Sequence, residues 1–68
     1  MTRFIVIRIN RNYRDTYAAP DFDAALEAAQ PADGDVVELG IVRAVDAAAA
    51  RLAQPLCWVQ VARAHQGR

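Results

Sequence analysis

The 68-residue chain predicts a small α+β fold. The expected architecture is two-layer: a mostly antiparallel four-stranded sheet with one face buried under one or two short helices, in the order ββαβαβ. Three observations predict it. Two runs of period-2 alternation open the chain, separated by a turn-prone Asn10-Arg11-Asn12. A proline- and aspartate-flanked stretch, residues 20–31, has the 3.6-residue periodicity of a helix. Two further apolar runs, 36–45 and 56–64, are separated by an alanine-rich segment. The length allows one domain, residues 1–68, with 65–68 a frayed tail.

The first element is "RFIVIRIN", Arg3 to Asn10. Its β-branching and alternation, with Ile5, Ile7 and Ile9 on one face and Phe4, Val6 and Arg8 on the other, predict a strand. Asparagine tolerates left-handed backbone, so "NRN" turns the chain. Tyr13 to Ala18 alternates again, Tyr13, Asp15 and Tyr17 against Arg14, Thr16 and Ala18, and completes a hairpin. In "APDFDAALEAAQP", Pro20 suits the first helical position and Asp21 and Asp23 the positive first turn. Phe22, Leu26 and Ala29 form the apolar stripe, and Pro31 ends the helix at Gln30. "PADGD" is a turn. Val36 to Val45 is apolar on both faces, as a central strand is, and Gly40 marks a bulge or a close approach. Asp46 caps a short helix, "AAAARLAQ", stopped by Pro55, with Val45, Ala48, Ala49 and Leu52 facing inward. Leu56 to Ala64, "LCWVQVARA", is the last strand.

Fifteen of the apolar residues are alanine, so the core is built from few large side chains. A domain this short needs tight packing, a staple or a partner. One cysteine, Cys57, forms no internal disulfide, and Cys57 with His65 falls short of a zinc site. Homodimerisation therefore stands beside tight packing as an expectation. The longest apolar run is too short to cross a bilayer, and "MTRFIVIRIN" lacks the long apolar region of a signal peptide. The expected location is the cytoplasm, in a bacterial host cell.

Composition argues against an enzyme. The chain has no serine and no lysine, which removes the serine triad and the lysine Schiff base. Cys57 reads as a small buried hydrophobe, and extended chain separates it from His65 by roughly 26 Å. "DGD" within "PADGDVVEL" lacks calcium-loop spacing. No phosphate loop or dinucleotide fingerprint occurs, and no cofactor or metal is expected. Trp58 is core filler or an interface anchor.

The net charge of zero conceals segregation. Residues 1–14 carry +4, residues 15–38 carry −7, and residues 39–68 carry +3. The acidic block makes Asp23, Glu27, Asp33, Asp35 and Glu38 candidate docking residues for a basic bacterial protein or nucleoprotein complex. A rival set, Arg8, Arg11, Arg14, Tyr13 and Tyr17, has the arginine–aromatic mixture of a nucleic-acid surface.

With its hairpin "RFIVIRINRNYRDTY", acidic alanine-rich helix "PDFDAALEAAQ" and strand "LCWVQVARA", the chain resembles small phage-encoded inhibitor proteins of the anti-CRISPR type. The likeness is one of size and architecture and transfers no residue. It implies a non-catalytic inhibitor that occludes the basic nucleic-acid-binding surface of a bacterial immune complex. The third alternative is a homodimeric structural or assembly subunit, joined through a sheet edge or the second helix.

Overall fold

The computed structural model describes residues 1–61. In chain order the elements are β1 (Thr2–Ile9), β2 (Asn12–Ala19), α1 (Phe22–Ala29), β3 (Val37–Ala44), α2 (Ala47–Leu52) and β4 (Val59–Gln60). The strands form one sheet in the order β2-β1-β3-β4, and every neighbouring pair is antiparallel. The small α+β fold and the ββαβαβ order are those the sequence predicts.

The hairpin turns on Asn10 and Arg11, both left-handed, with φ of 56° and 59°. Two successive left-handed residues match the twist of the flanking strands. Asn10 also ties the turn to the 32–36 loop. Its amide donates to the Val36 carbonyl at 2.7 Å, and its Oδ1 accepts from the Val36 amide at 2.9 Å. Beyond the turn, Ile9 pairs with Asn12 but Arg8 pairs with Thr16, so Tyr13, Arg14 and Asp15 form a bulge. The Asn12 side chain holds it, accepting from the Arg14 amide at 2.9 Å. An odd number of inserted residues reverses the alternation. Tyr13 and Tyr17, expected on one face, therefore lie on opposite faces: Tyr13 against Trp58, Tyr17 against the Ile7 cluster.

Asp21 is the N-cap of α1, accepting from the Ala24 amide at 2.8 Å, so Pro20 precedes the helix rather than opening it. Gln30 closes α1 in left-handed backbone, φ 44°. The inward stripe is not Phe22, Leu26 and Ala29. Ala25 and Ala29 are innermost, Leu26 is half-buried, and Phe22 lies exposed at the rim. The methyl side chains bring the helix backbone close to the sheet. Asp46 caps α2 as expected, accepting from the Ala49 amide at 2.8 Å. Here too the inward residue is an alanine, Ala50, while Val45 and Leu52 are exposed.

The helices do not share one face of the sheet, as a two-layer arrangement requires. Ile7, Ile9, Ala19 and Val37 pack under α1. Phe4, Val6, Val42 and Ala44 pack against Ala50 of α2 on the other side. Both phases of β1 are apolar, so each face of the sheet needs its own cover.

The last strand starts at Val59 rather than Leu56: Val59 and Gln60 pair with Leu39 and Glu38, and residues 62–64 and the tail lie outside the described residues. Before it, the chain packs on Gly40, buried in β3. A Cβ there would stand 2.5 Å from Pro55 Cγ and 3.3 Å from the Cys57 carbonyl oxygen. Leaving α2, the chain crosses β3 over this gap before it joins the sheet edge. Cys57, expected to be buried, is exposed on that crossing.

Candidate docking surfaces

Alternation along β1 sends Arg8 to the same side as Phe4 and Val6, where an unpaired guanidinium would be costly. Directly opposite on β3 stands Glu38. Arg8 Nε donates to Glu38 Oε1 at 2.8 Å, with 12% and 8% of the two side chains exposed. The bulge brings Tyr13 back over Arg8, and the crossing before β4 brings Trp58. The guanidinium carbon lies 4.2 Å from the Trp58 ring centroid and 5.0 Å from that of Tyr13. This geometry is a two-sided cation–π contact around a buried ion pair. The Trp58 indole Nε1 and the Thr16 hydroxyl are buried there with no hydrogen-bond partner among the described residues.

The arginine–tyrosine set is thereby divided. Arg8 is consumed by Glu38, and Tyr17 packs beneath α1. Tyr13 stacks within the cluster, and its hydroxyl lies 3.3 Å from Gln54 Oε1. Arg11 projects from the turn, 74% exposed and 3.7 Å from Glu38 Oε2. The exposed Arg14 contributes its backbone N–H to the bulge, donating to Asn12 Oδ1.

The acidic set is divided as well. Glu38 lies inside the sheet's opposite face. Asp35 folds the 32–36 loop, accepting from the Ala32 amide at 2.7 Å and from the Asn10 side chain at 3.2 Å. Asp33 is exposed in the turn and also engaged. Asp15 accepts from Asn12 at 3.3 Å, and Asp21 and Asp46 are caps. Asp23 and Glu27 remain. Each stands two residues from the buried Ala25, about 200° around the helix, and so points straight away from the sheet. Neither makes a hydrogen bond or ion pair among the described residues.

Two features lay beyond the sequence reading. Arg51 of α2 reaches the edge strand β2, its Nε donating to the Thr16 carbonyl at 2.7 Å and its Nη2 to the Arg14 carbonyl at 3.4 Å. A cation over the backbone of an edge strand hinders the addition of another strand there. Nothing local marks Arg51 for this role, because its partners are more than thirty residues away. The Arg8–Glu38 pair did carry a signal: each residue interrupts an apolar phase of its strand.

The second feature is an apolar patch left exposed among the described residues. α1 lies over β1 and β2, and of β3 it is Val37 that joins its buried cluster. On the same face, Leu39, Ile41 and Val59 line a groove with Leu56 and Cys57. Ile41 is 52% exposed, Val59 55%, and Leu56 fully exposed.

Among the described residues no group of three or more His, Cys, Asp or Glu side chains is placed to hold a metal ion, and no helix is long and apolar enough to cross a membrane. No family model, curated protein or solved structure matches this chain.

Proposed function

We propose that this chain is a non-catalytic protein-binding domain that docks the outer face of α1 onto a basic surface. One observation carries the reading: of the eight acidic residues, Asp23 and Glu27 alone lack an intramolecular partner among the described residues, and they stand one helical turn apart on one exposed face. Unpaired charges at the surface steer a partner of opposite sign and disfavour one of like sign. Alanines flank them, so a partner can approach closely. The narrower form of the proposal is an inhibitor from a phage or mobile element, acting in a bacterial cytoplasm by covering the nucleic-acid-binding surface of an immune complex. The resemblance in size and architecture supports that form, and the exposed acidic pair suits it.

The test is capture from a bacterial lysate, using the immobilised full chain and its Asp23→Arg/Glu27→Arg variant. The wild type is expected to retain a basic protein or nucleoprotein that salt releases. The variant, with an unchanged circular dichroism spectrum, is expected to lose it. Equal capture by both refutes the proposal.

A further inference from the structure

We propose that the basic surface met by α1 is supplied by a second copy of this chain, as a symmetric dimer in which each α1 lies over the Ile41–Val59 patch, exposed among the described residues, on β3 and β4 of the other sheet. The inference rests on the reading of α1 as a docking helix and names its partner.

Among the described residues this vacancy is widest at Leu39 and Val59, where β3 and β4 pair and together span roughly 10 Å, the diameter of one helix with its side chains. Its floor is apolar, formed by Leu39, Ile41 and Val59. At one end lie Arg3 and Arg43, directly opposite each other in the register of β1 and β3 and both exposed. Like charges in that position repel. No acid among the described residues pairs with either. The Arg3–Arg43 end of this patch therefore suits a helix that carries an acid.

α1 is such a helix, but it cannot serve its own copy. It is held over β1 and β2, and its unpaired acids point away from its own sheet. A second copy removes both obstacles. The twofold axis runs parallel to the strands, between two sheets that face each other. That operation exchanges the β2 side of one sheet for the β4 side of the other and preserves position along the strands. It places the partner's α1 over the vacancy with its acids pointing down onto it.

The level also matches. α1 begins just after Ala19, which pairs with Ile5, and Ile5 pairs with Ile41. Asp23 thus sits at the Ile41 end of the sheet, next to the Arg3–Arg43 pair of the facing copy, with Glu27 one turn further along. Leu26 continues the apolar surface. Ala28 lines the opposite flank of α1, beside Ala47 and Ala48 of α2. Leu26 therefore looks toward the vacancy. A stable dimer buries about 800 Å² per partner. That is under a fifth of the 4501 Å² surface.

Sedimentation equilibrium of the full chain tests this, with circular dichroism confirming that each variant is folded. The wild type is expected to be a dimer whose dissociation constant rises with salt. Ile41→Glu, at a position already half exposed, and Asp23→Arg are each expected to raise that constant about tenfold or more. Asp23→Arg mixed with Arg3→Glu/Arg43→Glu is expected to recover a heterodimer that neither variant forms alone. A wild type that stays monomeric at high concentration overturns the proposal. So does a dimer that survives Ile41→Glu or Asp23→Arg, because its interface lies elsewhere. A monomeric wild type with Asp23- and Glu27-dependent capture of a foreign protein refutes the dimer and leaves the acidic-helix reading standing.

Discussion

Replacing Glu38 by glutamine removes one charge from the interior and leaves the shape almost unchanged. Arg8 then remains with about an eighth of its side chain exposed and no anion beside it except solvent. Breaking a buried pair in this way costs about 3–5 kcal/mol, against less than about 1 kcal/mol for an exposed pair. The cation–π contacts of Arg8 with the Tyr13 and Trp58 rings survive the substitution and cancel from the difference. Because both side chains keep some exposure, the lower end applies, a loss of about 3 kcal/mol. A domain of this length has a total stability of about 3–10 kcal/mol. Trp58 is the only tryptophan and touches the ion pair, so its fluorescence reports urea unfolding at the site itself. With a slope of about 1 kcal/mol per molar, the midpoint falls by about 3 M. Arg11→Ala, which touches the same carboxylate only at 3.7 Å from an exposed position, moves it by less than about 1 M. The double variant Arg8→Met/Glu38→Leu recovers most of the loss, because an apolar pair of similar volume has no charge to desolvate. A Glu38→Gln midpoint within about 0.5 M of wild type refutes the view that the buried Arg8 depends on the Glu38 charge.

Gly40→Ala places a methyl 2.5 Å from Pro55 Cγ. It is expected to cost about 1–3 kcal/mol, a fall of roughly 4–8 °C in Tm per kcal/mol, read by thermal circular dichroism, with Pro55→Gly, which removes both clashing atoms, restoring part of it. Arg11→Gly relieves a left-handed arginine at φ 59° in the hairpin turn. The gain is about 0.5–1 kcal/mol after the entropy of the new glycine is counted, read as a higher urea midpoint.

Period and turn chemistry are local properties, and most of the fold follows from them. Ile5, Ile7 and Ile9 announce one face of β1, Asn10 the left-handed turn, and Asp46 the cap of α2. Layering is different, because it depends on which face each connection crosses. Phe4 and Val6 already state that the second face of β1 is apolar and needs its own helix. The inward residues of both helices were obscured by the same fact: a close-packed helix turns its alanines inward and leaves larger side chains at the rim, as Phe22 and Leu52 show. The bulge at Tyr13 to Asp15 depends on one asparagine side chain, and it alone decides on which face Tyr13 stands.

The candidate site was legible only in part, because charge along a chain is not charge on a surface. Strand alternation sends Glu38 through the sheet to Arg8. Loop and cap geometry absorbs Asp15, Asp21, Asp35 and Asp46. From a block of seven acids the fold leaves Asp23 and Glu27 unengaged, and from the arginines it leaves Arg3 and Arg43 side by side on the same side of the sheet. The β2–α1–β3 connection anchors the helix at Ala19 and returns the chain at Val37, so α1 stays over β1 and β2 with its acids turned outward. One copy of the molecule thus carries an acidic helix that faces away from its own sheet and a basic-ended apolar trough that its own helix does not reach. Each is the complement of the other, at the same height along the strands, and a twofold rotation is the operation that brings them together.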